Sequence, residues 1–318
     1  MPRSPAVFAA CILALAACTG SRSPDTRERG AARDTTAPDS IAAPLIPATA
    51  TLNDAGRVVR DPERGGLPSD TQLAARVVEG YRIFRQTGRY AAAFVGNGLT
   101  CGNCHLNAGQ RDRGMPLVGV AGVFPEYRAR SGRLISLEDR IRDCFERSMN
   151  GAAPAFESRE LLSVAAYIAW LSDGQPVGRS PAWRGRNTIP KAAQVPVAQL
   201  DTAAGHAVYT RVCVGCHGAD GEGVTLGTVR PGPLWGPRSW NDGAGMARVY
   251  TAAGFIRWAM PLTAPGSLSD REAQEVAAYI DSQPRPAFPR KAGDYPSSAI
   301  PPDAVYYPKH PASSAAKG

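Results

Sequence analysis

Two pentapeptides hold the residues whose spacing points most directly to chemistry. Cys101-Gly102-Asn103-Cys104-His105 and Cys213-Val214-Gly215-Cys216-His217 share the pattern Cys-x-x-Cys-His. Thiols at this spacing can each form a thioether with one vinyl group of a haem. The histidine that follows is then placed to bind the iron from one side. Zinc sites built on a Cys-x-x-Cys pair usually set their histidines further away. A dithiol redox pair needs a βαβ setting, and no strand pattern flanks either motif. Two such motifs predict two covalently bound haem c groups, with His105 and His217 as proximal iron ligands.

The opposite face of each iron needs its own donor. For the second motif, Met260-Pro261 matches the distal Met-Pro of small c-type cytochromes, and thioether ligation there raises the reduction potential. Met246 is the alternative, and His206 reads as a hydrogen-bonded or exposed histidine on the helix that leads in. For the first motif two donors compete. Met115-Pro116 follows His105 closely, which leaves a short loop for reaching the far face. Cys144 is the thiol left over among seven cysteines once the haem pairs, Cys11 and Cys18 are set aside. It lies in Ser136–Met149, which reads as a helix with Ser136 as N-cap and Asp139 as its capping-box partner. At helical spacing Arg140, Cys144 and Ser148 share one face. A guanidinium one turn away favours the thiolate, a strong haem ligand that lowers the iron potential. The competing reading is an inert buried cysteine, with Met115 on the iron.

The elements that must hold these residues form a repeat. An amphipathic helix over Thr71–Gln86, following Ser69-Asp70 as N-cap, leads into the first motif, and Arg159–Leu171 closes that unit. Asp201–Cys213 leads into the second motif, and Ser269–Ser282 closes it. Both closing segments contain Val-Ala-Ala-Tyr-Ile, at 164–168 and 276–280. The layout resembles class I cytochrome c, which implies an all-α fold with two cytochrome c-like domains in tandem. The expected boundaries are 53–175 and 198–284, joined by a Pro/Gly-rich linker at 176–197. A Pro-rich tail from 285 to 318 is expected along the surface without regular structure.

Before these domains, Arg3 and the apolar run Ala6–Ala17 read as a signal peptide, too short to span a bilayer. Leu15-Ala16-Ala17-Cys18 resembles a bacterial lipoprotein processing site, which implies residues 1–17 as leader and a lipid on Cys18. Residues 18–52 then read as a flexible tether. The net charge of +8 favours anionic partners, but no run of consecutive Lys or Arg supports nucleic-acid binding. The excess is largely arginine, which suits bidentate recognition of oxyanions.

From about residue 70 to 310 the chain resembles the dihaem, tetrathionate-forming thiosulfate dehydrogenases. The similarity is carried by Asn97–Gly109, Phe124–Arg130, Cys144–Gly151, Pro233–Gly236 and Asn241–Met246. The resemblance implies His105/Cys144 ligation at the first haem and an anion site formed by Arg130, Arg140 and Ser148. It also implies thiosulfate and tetrathionate as small anionic substrates. Some relatives place a lysine before the distal methionine as an alternative ligand. That position is Ala259 here, which favours constant His217/Met260 ligation.

Joining two thiosulfate dianions requires like-charged sulfur nucleophiles to meet and lose two electrons. Arginines lower that repulsion and hold the sulfonate oxygens, so that the sulfane sulfur faces the centre. Cys144 is expected to carry a transient sulfane adduct as well as to bind iron. The second haem would pass electrons to an external acceptor, such as a small cytochrome c or a high-potential iron–sulfur protein, on the periplasmic side of a bacterial membrane. Rival readings are a non-catalytic dihaem carrier, a sulfur-oxidation (Sox) cytochrome that loads thiosulfate onto a partner cysteine, and the same enzyme working as a tetrathionate reductase.

Overall fold

The computed structural model describes residues 60–308. The expected signal peptide, Cys18 and the tether lie outside the described residues. Helix α1, Thr71–Arg85, begins where the sequence predicts, with the Asp70 carboxylate accepting the Leu73 N–H at 2.8 Å. Helix α2, Leu137–Asp143, starts with a reciprocal capping box between Ser136 and Asp139, both bonds at 3.1 Å. Helix α3 covers Arg159–Leu171. The second half repeats the plan with α4, Thr202–Val212, α5, Val249–Ala259, and α6, Asp270–Asp281. The α5 segment, whose C-cap is Met260, is a helix that the sequence reading left unassigned.

Both halves are built on one helix crossing. At Gly80 of α1 a Cβ would stand 1.9 Å from the Ser163 carbonyl oxygen of α3. At Gly205 of α4 it would stand 2.1 Å from that of Glu275 on α6. Glycine is required because any side chain would hold the two backbones apart. The aromatics around the crossings also repeat. Phe84 lies 5.6 Å from Tyr167, and Tyr209 lies 5.6 Å from Tyr279. His206, the residue after Gly205, stacks 4.9 Å from Tyr279, much as Tyr81 meets Tyr167 at 5.7 Å. Burial of each large side chain here contributes about 1.5–3 kcal/mol. Most buried apolar residues of both halves join in one cluster, from Val77 and Leu161 to Val249 and Val276.

Three segments differ from expectation. A hairpin interrupts the all-α plan: β1, Glu126–Arg128, pairs antiparallel with β2, Arg133–Ile135. In a strand, alternate residues face the same side, so Glu126 and Arg128 project together while Tyr127, 59 % exposed, projects away. The linker packs against both halves. The Trp183 indole N–H donates to the Val118 carbonyl at 2.9 Å, and the Asn187 carbonyl fills the place a Cβ on Gly254 would need. Among its described residues the tail has only a short 3₁₀ turn at Lys291–Gly293, yet Phe288, Tyr295, Ala304 and Tyr307 are buried. Asp303, fully buried, accepts the Tyr250 N–H at 3.1 Å and pairs with Arg248 at 2.6 Å, so the tail caps α5.

Candidate active site

A cavity of about 290 Å³ is lined by Cys101, Cys104 and His105, and also by Arg140, Cys144 and Ser148. Tertiary structure thus brings together four of the residues expected at the first iron and its anion site, His105, Arg140, Cys144 and Ser148, with both cysteines of the motif. His105 is held by its Nδ1, 2.6 Å from the Met115 carbonyl. A donor bond there leaves Nε2 with its lone pair for a metal. Burial pushes the imidazole down to about 4, so it is neutral at physiological pH. Met115, the competing donor, is thus tied through its backbone to the His105 ring, and it lines the same cavity. Thr87 and Thr100 fix the motif itself. The Cys101 N–H donates to Thr87 Oγ1 at 3.0 Å, and the Thr100 N–H to Asn103 Oδ1 at 2.7 Å. Burial raises both thiols, Cys101 and Cys104, to about 12.

Cys144 sits where α2 widens into a π turn, Cys144–Ser148, closed by the Met149 N–H on the Cys144 carbonyl at 2.9 Å. The regular spacing expected through Ser148 therefore stops at Cys144. Widening frees backbone carbonyls, and distant side chains take them up. Asn241 Nδ2 donates to the Glu146 carbonyl at 2.8 Å, and Asn97 Nδ2 to that of Ser148 at 2.7 Å. Ser148 still reaches the cavity. Arg140 Nη1 donates to Cys144 Sγ at 3.1 Å. The sulfur is the main cause of a raised Arg140 pKa, outweighing burial.

Arg130 is placed differently. It is not among the lining residues; its Nη1 donates to the Gly243 carbonyl at 2.6 Å. The cavity's other guanidiniums come from Arg128 and Arg184. Sequence reasoning missed both. Alternation with Glu126 in the Phe124–Arg130 run was an available signal for Arg128. Arg184, in a Pro/Gly-rich linker, carried none.

The second motif continues directly from α4, with Cys213 half-buried and Cys216 exposed. Burial pushes His217 down to about 4 and Cys213 up to about 11. Met260 packs with Phe255 and Ala259, and Leu106 and Met115 of the first half join the same cluster. Met246, the alternative donor, packs against the same cluster and also lines the cavity of the first motif. In both motifs a thiol pair beside a neutral, buried imidazole fits a haem.

The chain is 46% identical over 234 residues to the thiosulfate dehydrogenase of Allochromatium vinosum, covering 72% of this chain and 85% of that one. It belongs to the thiosulfate dehydrogenase family. The family's Stutzerimonas stutzeri member is 42% identical, covering 72% of this chain and 73% of its own. A solved thiosulfate dehydrogenase (TsdBA) from Marichromatium purpuratum superposes with TM-score 0.65 at 39% identity. That match covers 71% of this chain but 49% of the other, so this chain spans about half the solved one. Residues 88–177 match the SoxA/TsdA cytochrome c domain, and 200–280 match the family described as cytochrome C oxidase, cbb3-type, subunit III. Two cytochrome c domains thus stand in tandem, as the helix repeat indicates, and the cavity residues Arg140, Cys144 and Ser148 fall within the first.

Proposed function

We propose that the chain oxidises two thiosulfate ions to tetrathionate in the cavity between Cys101-x-x-Cys104-His105 and Cys144. When bound, two covalent haem c groups supply acceptors for the two electrons released. His105 and Cys144 would hold the first iron, and His217 and Met260 the second. The observation that carries this reading is the Arg140–Cys144 contact at 3.1 Å within the cavity that the haem-binding residues line. A thiol and a cation on that wall serve no purpose for a simple carrier, whereas they suit a sulfur nucleophile meeting a dianion.

In balanced form, the Cys144 thiolate and the sulfane sulfur of one thiosulfate form an S–S bond and give up two electrons. The second thiosulfate then attacks the bound sulfane sulfur, tetrathionate leaves, and Cys144 returns as thiolate. Arg140 lowers the charge repulsion at the first bond, and Ser148 offers a hydroxyl to a sulfonate oxygen. Electrons would leave through the second domain to a small cytochrome c or a high-potential iron–sulfur protein. An exported, periplasmic protein anchored at Cys18 is part of the same reading, as are domain limits of 53–175 and 198–284. Arg130 enters it as a residue that holds the Gly243 loop beside the cavity, not as a direct anion contact.

The test is purified holoprotein with thiosulfate and ferricyanide and no other protein, with tetrathionate followed over time. Tetrathionate formation is expected. No reaction would favour a carrier or a Sox-type loading cytochrome, and reaction only from tetrathionate with a reduced donor would favour a reductase.

A further inference from the structure

Tetrathionate formation needs two dianions in one cavity, and Arg140 is the single guanidinium bonded to Cys144. The cavity wall holds two more that the reading above leaves unused. Arg128 comes from β1 and Arg184 from the linker. Both are tied to one carboxylate. Arg184 Nη2 donates to Glu126 at 2.7 and 2.9 Å, and Arg128 Nη2 lies 3.2 Å from Glu126 Oε2. Because Glu126 and Arg128 are two apart on a strand, the carboxylate sits beside the guanidinium that it orients.

The charges do not balance. Arg128 feels Arg140, Arg184 and Arg130 as like charges, and with burial they lower its pKa, while Glu126 alone opposes them. Its Nε is buried without a hydrogen-bond partner. A buried N–H of this kind costs free energy unless a ligand takes it. Arginine clusters gathered against their own repulsion are found where an oxyanion supplies the missing charge.

We infer that Arg128 and Arg184, braced by Glu126, form a second anion half-site that holds the sulfonate of the attacking thiosulfate. This rests on the thiosulfate-oxidising reading above. Arg140 and Ser148 hold the first ion at Cys144, and the Arg128/Arg184 pair orients the second so that its sulfane sulfur faces the bound one. The linker, by supplying Arg184, becomes part of the substrate site.

The experiment uses holoprotein, wild type and the variants Arg128→Gln, Arg184→Gln and the double variant. Thiosulfate binding is titrated calorimetrically on fully reduced protein, where no turnover occurs, and KM is measured separately with ferricyanide. Wild type should bind two thiosulfates per chain and the double variant one. Each single variant should raise KM about tenfold, the loss of one charge-assisted contact, with the thiolate-ligated haem spectrum unchanged. The unchanged spectrum also shows that the variant has folded. If wild type makes tetrathionate but every variant keeps two-site binding and its KM, the half-site is refuted while the enzyme reading stands. If wild type makes no tetrathionate, the enzyme reading itself fails.

Discussion

The π turn that presents Cys144 is clamped from outside by the C-terminal tail, and Asp294→Ala tests how much that clamp is worth. Arg147, in the middle of the turn, donates to both Asp294 oxygens at 2.7 Å, with side-chain exposures of 10% and 5%. The Tyr307 hydroxyl donates to the same carboxylate at 2.5 Å, and Arg290 pairs with the neighbouring Glu146. Burial by itself would lower the Arg147 pKa, and the Asp294 hydrogen bonds reverse that into a rise. Removing the carboxylate leaves a buried guanidinium with the Gly243 carbonyl at 3.3 Å, Asp143 at 3.5 Å and the Phe288 ring at 4.1 Å, none of them a close ion pair. Breaking a buried pair in this way costs about 3–5 kcal/mol, a large part of the roughly 5–15 kcal/mol of a typical domain. Urea unfolding of the holoprotein should show that loss as a lower midpoint with an unchanged slope. Because the turn carries Cys144, the spectral signature of thiolate ligation should also weaken. A loss below about 1 kcal/mol, the level of an exposed pair, would refute the clamp.

The other predictions concern chemistry, packing and pH. Cys144→Ala should lower tetrathionate formation by about a thousandfold or more while intact mass still shows two haems attached; near-normal turnover would remove Cys144 from the chemistry. Gly205→Ala should destabilise by at least about 1–3 kcal/mol in thermal unfolding, because its Cβ would stand 2.1 Å from backbone of α6. Elsewhere in a helix the same change would stabilise by about 1 kcal/mol. Asp281 is 3% exposed, and burial raises its pKa to about 7, with Asp303 adding to the rise and Arg285 opposing it. Its folded pKa lies above the unfolded one near 3.9, so the folded state holds the proton longer. Stability should therefore fall as pH rises from about 4 to 7 and level off above that. Asp281→Asn should flatten that slope in urea titrations at several pH values, and an unchanged slope would show that Asp281 is not its source.

Local chemistry made much of this protein legible in one dimension. The Cys-x-x-Cys-His motifs act through neighbours in sequence, and so do the caps at Asp70 and Ser136. The shared Val-Ala-Ala-Tyr-Ile string marked the two closing helices, whose Tyr167 and Tyr279 meet Phe84 and Tyr209 of the lead-in helices. Arg140 and Cys144 were readable as partners since one helical turn separates them. What only the tertiary structure decided depends on contacts between residues far apart in the chain. Arg130 turns to the Gly243 carbonyl, over a hundred residues away, while Arg128 and Arg184 take the cavity wall. Asn241 and Asn97 take up the Glu146 and Ser148 carbonyls of the widened turn, and Asp294 holds the Arg147 side chain at its middle. Periodicity cannot show this, since it records which way a helix faces and not which distant donors compete for its backbone. The linker read only as a Pro/Gly-rich segment, and the tail as a Pro-rich one without regular structure. Their buried Trp183, Asp303 and Tyr307 show that such segments are ordered by what they pack against, which composition does not encode.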